Sequence, residues 1–490
     1  MNQTINELVK YALKEHLIGE DEVDYSVNLL LDLLHLNEFT KEDVKERALV
    51  EILKDLLDYA CEKGLCEDSV TARDLFDTKI MNCFMPRPHE VITTFNHKYQ
   101  NSPKEATDYF YHLSIASNYI RKDRIEKNIR YFADNQYGGV EITINLSKPE
   151  KDPKAIAAAR TMKQSSYPKC LLCKENVGFA GSLTHPARET HRIIPLDLSN
   201  KRYYMQYSPY VYYNEHCIVF NEDHVPMKID HETFAHLMDF ITKFPHYTLG
   251  SNADLPIVGG SILTHDHYQG GAYHFPIQDA KVLASYDLED AKLDLINWPL
   301  TTLRLTGDSS KALIKWADVI LEKWIDYDDP DLDILSHTNG VRHNTITPIA
   351  RRSGDSYQLD LVLRNNRTTD EYPLGIFHPH AENHHIKKEN IGLIEVMGLA
   401  ILPARLKTEL ALLKDCLLGQ EDINAHECLE KHKDWYEYLK TFDYNEDTID
   451  DFMKKALAEK FTNVLENAGV YKMNEQGIAG VKKFIEEITK

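Results

Sequence analysis

The sequence predicts an α+β fold, with a mixed middle region flanked by helices. Apolar residues recur at helical spacing through most of residues 1–135. From about residue 136, short runs alternate between apolar and polar residues, as half-buried strands do. The pattern becomes helical again toward the C terminus. We therefore expect a helical N-terminal region (1–135), two sheet-plus-helix units (136–300 and 301–410) and a helical tail (411–490).

Helices are expected wherever the apolar period is close to 3.6 residues. "SVNLLLDLLHL" and "VKERALVEILKDLLDYA" show it near the N terminus, and Thr40 is expected to cap the second of these helices. "DHETFAHLMDFITKF" places apolar side chains at i, i+3, i+4 and i+7, so it should pack on a sheet. Further helices are expected at about 152–162, 387–402, 447–467 and 475–489.

Strands are expected where the period is two. "GVEITINLS" alternates strictly, and strand-like runs recur at "YVYYNEHCIVFNEDH", "GGSILTHDH", "TITPIA", "YQLDLVLRNN" and "GIFHPH". A His-x-His pair ends two of these runs, at His265/His267 and at His378/His380. Each pair is followed by helical sequence, which suggests two copies of one sheet-plus-helix unit.

Composition excludes several classes of protein. The net charge of −21 argues against general nucleic-acid binding, which needs a basic surface. Eight cysteines are sparse in a chain of 490 residues, so we do not expect a disulfide framework. We find no run of about 18 apolar residues, and the N terminus reads as an amphipathic helix rather than a signal peptide. We therefore expect no membrane partner and a cytoplasmic location.

A pair of cysteines has the spacing of a metal site. Cys170 and Cys173 place two thiolates on one tight turn, and a tetrahedral zinc site needs two further ligands. The candidates are His224 in "FNEDH" and His265 in "THDH", both at expected strand ends. A redox pair or a chance spacing would give the same two cysteines.

A row of polar side chains follows in "HDHYQ". On an extended chain His265, His267 and Gln269 point to one face, which suits an anion. If a metal holds His265, then His267 remains available as a nucleophile, and Gln269 can donate to a phosphoryl oxygen. The alternative is three half-buried polar residues without chemistry. The flanking Gly-Gly pairs favour a ligand site, because they let the backbone approach closely.

Several long motifs resemble one family. "CLLC", "FNEDH", "GGSILTHDHYQGG", "HNTITPIARR", "LDLVLRNNRTTDEYPLGIFHPHAENHH" and "IGLIEVMGLAILP" are similar to the second, bacterial type of galactose-1-phosphate uridylyltransferase, within the histidine-triad superfamily. The similarity runs from about residue 80 to 410. It implies two tandem histidine-triad-like units with a mainly antiparallel sheet, and a homodimer.

The resemblance also implies a reaction and a set of site residues. His267 would attack the α-phosphate of UDP-glucose, and the uridylyl-histidine would then pass UMP to galactose 1-phosphate. Gln269 would steady the transferred group. Zinc would lie on Cys170, Cys173, His224 and His265. Asp266 and Tyr268 stand where the first type of the family usually has proline and glycine, which leaves the local backbone geometry open.

Further residues are candidates for substrate contact. Basic side chains must meet the phosphates, and the amide, hydroxyl and carboxylate candidates would face nucleotide or sugar groups. These candidates are Arg188, Arg192, Asn252, Ser261, Arg364, Arg367 and Glu395. For each arginine, a solvated salt bridge is the alternative.

A second metal site, such as an iron site, occurs in some first-type members. His343, His378 and His380 could supply its imidazoles, although hydrogen bonding between the two units would explain the same histidines. Two other functions stay open at this point. A hydrolase or dinucleotide phosphorylase of the same superfamily would pass the nucleotidyl group to water or phosphate. A zinc-stabilised binding module would have no turnover.

Overall fold

A computed structural model describes residues 1–147, 166–260 and 262–489 of the protein. The predicted helix at 152–162 and the candidate Ser261 lie outside the described residues. The chain divides into two compact units. Unit 1 comprises Met1–Lys127 and Ser147–His224, and unit 2 comprises Asn128–Leu146 and Val225–Lys490. The four-part division expected from the sequence stays a prediction.

The helices lie in both units. The described helices are Asn2–Lys14 (α1), Val23–Leu33 (α2), Leu49–Glu62 (α3), Val70–Asn82 (α4), Pro88–Asn101 (α5), Pro103–Ala116 (α6), Lys122–Ile125 (α7), His231–Lys243 (α8), Ser310–Ile325 (α9), Leu393–Val396 (α10), Leu406–Leu417 (α11), Lys433–Leu439 (α12), Ile449–Ala468 (α13) and Glu475–Thr489 (α14). None of them is long and apolar enough to cross a membrane.

The strands follow the same chain order. They are Ile129–Ala133 (β1), Val140–Asn145 (β2), Ile194–Leu198 (β3), Lys201–Tyr207 (β4), Cys217–Asn221 (β5), Thr248–Ser251 (β6), His267–Gly271 (β7), Val282–Leu288 (β8), Ala291–Ile296 (β9), Thr302–Gly307 (β10), His337–Thr338 (β11), Val341–Arg342 (β12), Asn344–Ser353 (β13), Ser356–Asn365 (β14) and Leu399–Pro403 (β15). The fold is α+β, as predicted.

Unit 1 combines the N-terminal helices with the antiparallel strands β3, β4 and β5. The prediction that Thr40 caps a helix is wrong, because α3 begins only at Leu49. Residues 40–42 instead run beside α1, where the Asn6 amide accepts from Glu42 N at 3.0 Å and donates to Thr40 O at 2.9 Å. These bonds to a side chain satisfy backbone groups that a helical turn would otherwise pair.

Unit 2 contains a large antiparallel sheet with the strand order β7-β6-β13-β14-β10-β9-β8. Helices α8 and α9 pack against this sheet. The prediction for α8 is confirmed, since its apolar stripe, represented by Phe234, Leu237 and Ile241, is fully buried. Asp230 caps this helix by accepting from the backbone N–H groups of Glu232 and Thr233.

A smaller sheet of unit 2 has the order β1-β2-β15. The helix expected over 387–402 is wrong for most of its length, because β15 pairs in parallel with β2. In β2 the alternating pattern is confirmed as a strand, yet Thr143 and Asn145 are also buried. The long helix α13 packs against β1 and β2 and covers that face. The prediction of the two C-terminal helices is confirmed.

Two other predicted strands differ from the structure. In "GGSILTHDH" the strand begins only at His267, because the backbone before it pairs elsewhere: Met227 N donates to Leu263 O and Asp266 N donates to Val225 O. "GIFHPH" is not a strand, since Gly375 N closes a turn onto Tyr372 O. The second His-x-His pair therefore does not end a strand, which weakens the expected internal repeat.

Candidate active site

Strand β7 carries the candidate nucleophile His267 and its neighbour Gln269 on one face of the unit 2 sheet. The residue between them, Tyr268, points to the other face, where its hydroxyl and the Nδ1 atom of His236 on α8 are 2.9 Å apart. The prediction that His265 shares this row is wrong, because His265 lies on a bend before the strand. The row therefore consists of His267 and Gln269.

The tautomer of His267 follows from one hydrogen bond. Its Nδ1 atom is 2.7 Å from the carbonyl oxygen of His265. A carbonyl can only accept, so Nδ1 carries the proton and the neutral ring has its lone pair on Nε2. Burial lowers the pKa of His267 to about 4, against the opposing effect of this hydrogen bond. The ring is therefore an unprotonated imidazole with a defined nucleophilic nitrogen.

The glycines beside this strand serve packing as well as access. A Cβ atom on Gly270 would lie 2.0 Å from the carbonyl oxygen of Thr248, so only glycine lets β6 and β7 pair here. A Cβ atom on Gly260 would lie 2.7 Å from the Asn252 amide nitrogen. The absence of a side chain at Gly270 therefore allows β7 to pair closely with β6, and its absence at Gly260 leaves room for the Asn252 side chain.

A cluster of soft ligand atoms lies in unit 1. Cys170 and Cys173 bring their Sγ atoms to 3.5 Å, and Cys173 Sγ is 3.2 Å from His224 Nδ1. The Asn176 amide shapes the turn by donating to the carbonyls of Cys170 (2.8 Å) and Cys173 (2.7 Å). Two sulfurs at 2.3 Å from one tetrahedral ion would be about 3.8 Å apart. The two sulfurs and the imidazole nitrogen therefore fit a metal ion. The contribution of Asn176 to the turn was not indicated by any sequence motif.

His265, the fourth predicted ligand, is fully buried in unit 2. The next residue, Asp266, donates its backbone N–H to Val225 O at 2.7 Å. Val225 directly follows His224 in the chain.

Two of the predicted phosphate contacts lie in unit 1 and are buried. Arg188 lies over the ring of Tyr119, 5.6 Å from its centroid, and its Nε atom is buried without a hydrogen-bond partner among the described residues. Arg192 donates to three backbone carbonyls, those of Pro86, Glu189 and His191. Burial lowers the pKa of Arg192 to about 10. The donors of Arg192 are thus largely used inside the protein.

The other two arginines lie in unit 2. Arg364 is 1% exposed and donates from Nη2 to Ile391 O, whereas its Nε and Nη1 atoms are buried without a partner among the described residues. Burial lowers the pKa of Arg364 to about 10. Arg367 donates to Asp333 O and lies 3.6 Å from the carboxylate of the same residue. Of these two, Arg364 retains unused buried donors.

Asn252 and Glu395 approach the same backbone position. The Asn252 Oδ1 atom accepts from Leu393 N at 2.8 Å, at the start of α10. The Glu395 carboxylate pairs through Oε1 with Lys387 Nζ at 2.8 Å. Both side chains border Gly392.

The histidines of the expected second metal site do not assemble. Within the described residues, His343, His378 and His380 form no group of ligands that could hold an ion. His343 Nδ1 faces the Asn366 side-chain oxygen at 2.8 Å, His378 Nε2 faces that of Asn390 at 3.2 Å, and His380 Nε2 faces a backbone carbonyl. The three histidines are thus hydrogen-bonded side chains, which was the alternative to a second metal site.

Comparison with known proteins identifies the family. The family model described as "Galactose-1-phosphate uridyl transferase, N-terminal domain" matches residues 18–226, and the corresponding C-terminal model matches residues 240–437. The chain belongs to the galactose-1-phosphate uridylyltransferase family. The galactose-1-phosphate uridylyltransferase of Clostridium acetobutylicum is 55% identical over 99% of both chains. That of Clostridium perfringens strain 13 is 51% identical over 99% of this chain and 98% of its own.

Among solved structures, yeast Ap4A phosphorylase is similar with a TM-score of 0.35 and 11% identity, over 67% of this chain and 92% of its own. The uridylyltransferase family consists of nucleotidyltransferases, so the protein is an enzyme of galactose metabolism. The predicted family and reaction class are confirmed.

Proposed function

We propose that the protein transfers UMP from UDP-glucose to galactose 1-phosphate in two steps, through a uridylyl group on His267. The observation that carries this proposal is the hydrogen bond from His267 Nδ1 to His265 O, which leaves the lone pair on Nε2. Family membership supplies the two substrates.

In the first step His267 Nε2 attacks the α-phosphorus of UDP-glucose. A nitrogen–phosphorus bond forms, the bond from that phosphorus to the bridging oxygen breaks, and glucose 1-phosphate leaves as an anion. The modified ring is then cationic, with its positive charge shared by Nδ1–H. The His265 carbonyl accepts that hydrogen, so the same contact that fixes the tautomer also stabilises the charged intermediate.

In the second step a phosphate oxygen of galactose 1-phosphate attacks the same phosphorus, and the electron pair of the nitrogen–phosphorus bond returns to Nε2. Gln269, two residues along β7, is on the correct face to donate its amide to the transferred phosphoryl group. Arg188, Arg192, Arg364 and Arg367 remain the proposed phosphate contacts. The unused buried donors favour Arg188 and Arg364 among them.

We also propose zinc on Cys170, Cys173, His224 and His265. Cys170, Cys173 and His224 lie together in unit 1. His265 is supported as the fourth ligand by a backbone hydrogen bond, because Asp266, the residue after His265, donates to the carbonyl of Val225, the residue after His224. Two thiolates favour zinc over iron. When bound, the metal would hold His265, whose carbonyl orients His267. Metal analysis of the purified protein tests its identity.

The resemblance also predicts a homodimer, which sedimentation equilibrium tests.

The reaction itself is tested by isotope exchange. With UDP-glucose and labelled glucose 1-phosphate alone, the wild type is expected to move label into UDP-glucose, because the first step is reversible. His267→Ala should show no exchange, and the control His274→Ala, which changes an exposed histidine, should retain it. Exchange by His267→Ala would refute the assigned nucleophile.

A further inference from the structure

A cavity of unit 2 has no role in the reaction described so far. It has a volume of about 330 Å³. Its walls include Tyr247 and Thr248 at the start of β6, Tyr273 and Gln278 after β7, and Arg351 and Arg352 on β13. Pockets for small molecules usually measure about 300–1,000 Å³, so this volume suits a ligand at the small end of that range.

The cavity lies at the far end of β7 from the nucleophile. Thr248 is paired with Gly271, the last residue of β7, whereas His267 is its first residue. Four residues of an extended strand span about 13 Å. A small ligand in the cavity would therefore be separate from the phosphorus that His267 attacks.

Arg351 brings uncompensated positive charge to the cavity. The buried carboxylate of Asp360 pairs with both Arg304 and Arg351, at 2.7 Å in each case. One carboxylate does not neutralise two guanidinium groups, so these three buried side chains keep a net positive charge. Asp279 adds a negative charge near Arg351, but its side chain is 68% exposed, where solvent screens it.

Arg352 is the second cation at the cavity. Its guanidinium lies over the ring of Tyr357, 3.9 Å from the centroid, and donates to the backbone carbonyl of Asp355. Among the described residues no carboxylate forms an ion pair with Arg352, although acidic side chains outnumber basic ones in this chain by 77 to 56. Stacking on the ring holds the guanidinium without neutralising it.

Neutral donors complete the walls. Gln278 Nε2 donates to Thr248 Oγ1 at 3.1 Å, so the Thr248 hydroxyl has its own hydrogen to donate to another acceptor. None of the described residues that line the cavity is acidic. Guanidinium forks match the oxygens of a phosphate group, and the bonds are strengthened by the opposite charges.

We propose that this cavity binds the phosphate group of a small phosphomonoester, through Arg351 and Arg352, at a site separate from the reaction centre. The inference does not depend on the proposed function. A phosphomonoester is a dianion at neutral pH, which matches the charges of the two arginines. Its organic part would lie along the rings of Tyr247 and Tyr273, which also line the cavity.

Calorimetric titration of the intact protein with glycerol 3-phosphate tests the site. Arg352→Gln is expected to raise the Kd at least about 10-fold, the worth of one hydrogen bond to a charged group. Arg202→Gln makes the same change at an exposed arginine of unit 1 and should leave the Kd unchanged. Gln278→Glu keeps both arginines but adds a carboxylate to the wall, so it should also abolish binding.

Two further ligands define the chemistry. Inorganic phosphate should bind more weakly than glycerol 3-phosphate; equal affinities would assign the site to free phosphate and overturn the phosphomonoester. Succinate, a dianion without phosphorus, should not bind, and equal binding of succinate would overturn the recognition of phosphate.

Hydrogen exchange with bound glycerol 3-phosphate locates the ligand. Slower exchange is expected in the peptides that cover residues 244–248 and 272–278. Protection confined to the peptide that contains His267, or an unchanged Kd in both Arg352→Gln and Gln278→Glu, would show that the ligand binds elsewhere and would overturn the proposal.

Discussion

Replacement of Asp360 is expected to destabilise the sheet that carries the site. Asp360 is fully buried on β14 and accepts from two arginines, Arg304 (2.7 and 3.0 Å) and Arg351 (2.7 and 3.4 Å), whose side chains are each 6% exposed. Removing one partner of a buried ion pair typically costs about 3–5 kcal/mol. Asp360→Asn leaves two buried cations without their counter-ion, so we expect the upper part of this range.

The matched comparison is Arg351→Met, which leaves the bidentate pair between Asp360 and Arg304 intact. Its cost should be clearly smaller than that of Asp360→Asn. Asp355→Asn, on an exposed turn, should change stability by less than about 0.5 kcal/mol. Urea unfolding followed by circular dichroism measures all three variants. A loss below about 1 kcal/mol for Asp360→Asn would refute the reasoning.

The same carboxylate gives the pH dependence a sign. Burial alone would raise the pKa of Asp360, but the charges of Arg351 and Arg304 outweigh it and hold the pKa below its usual value. The unfolded chain therefore binds the proton more tightly than the folded one. The stabilisation is fully present above about pH 4, the unfolded value, and is lost as the pH falls through the folded pKa. Asp360→Asn should lose this contribution to acid sensitivity.

Other changes are expected to act at the site. Gln269→Ala should slow transfer about 10²- to 10³-fold, the usual loss of one donor to a transition state, without loss of UDP-glucose binding by calorimetry; unchanged turnover would contradict its role. Cys173→Ser should lower the bound metal per chain and the melting temperature, and retention of full metal content would contradict its place among the ligands. Gly270→Ala should lower the free energy of unfolding by at least about 3 kcal/mol, because its Cβ would lie 2.0 Å from Thr248 O. The control Gly354→Ala should lower it by about 1 kcal/mol, because a Cβ there meets open space and only the φ of +58° is unfavourable. Similar losses for the two variants would contradict the packing argument.

The sequence predicted those elements whose apolar period is strong and local. Helix α8 and strand β14 formed where their patterns placed them. Strand β15 was missed, because "IGLIEVMGLAILP" is apolar apart from Glu395, so its periodicity does not separate helix from strand, and its pairing with β2 selects the extended form. A helix was predicted to start after Thr40 because periodicity does not reveal that the Asn6 side chain of α1 binds the backbone of Thr40 and Glu42.

The site was predictable to the extent that its residues are close in sequence. His267 and Gln269 share a strand, and Cys170 and Cys173 share a turn, so spacing alone indicated both pairs. Asn176 could not be found in this way, since its amide bonds to the carbonyls of Cys170 and Cys173 become visible only once the turn has formed. The second metal site was suggested by the resemblance to the first type of the family, but the imidazoles of His343, His378 and His380 each have a hydrogen-bond partner instead.

The central claim is that His267 carries the uridylyl group between the two substrates. Intact-protein mass spectrometry after mixing the enzyme with UDP-glucose, in the absence of galactose 1-phosphate, tests it most directly. We predict a mass increase of one uridylyl group on the wild type and on His274→Ala, none on His267→Ala, and loss of the added mass when galactose 1-phosphate is supplied. An adduct on His267→Ala, or turnover without any adduct on the wild type, would contradict the claim.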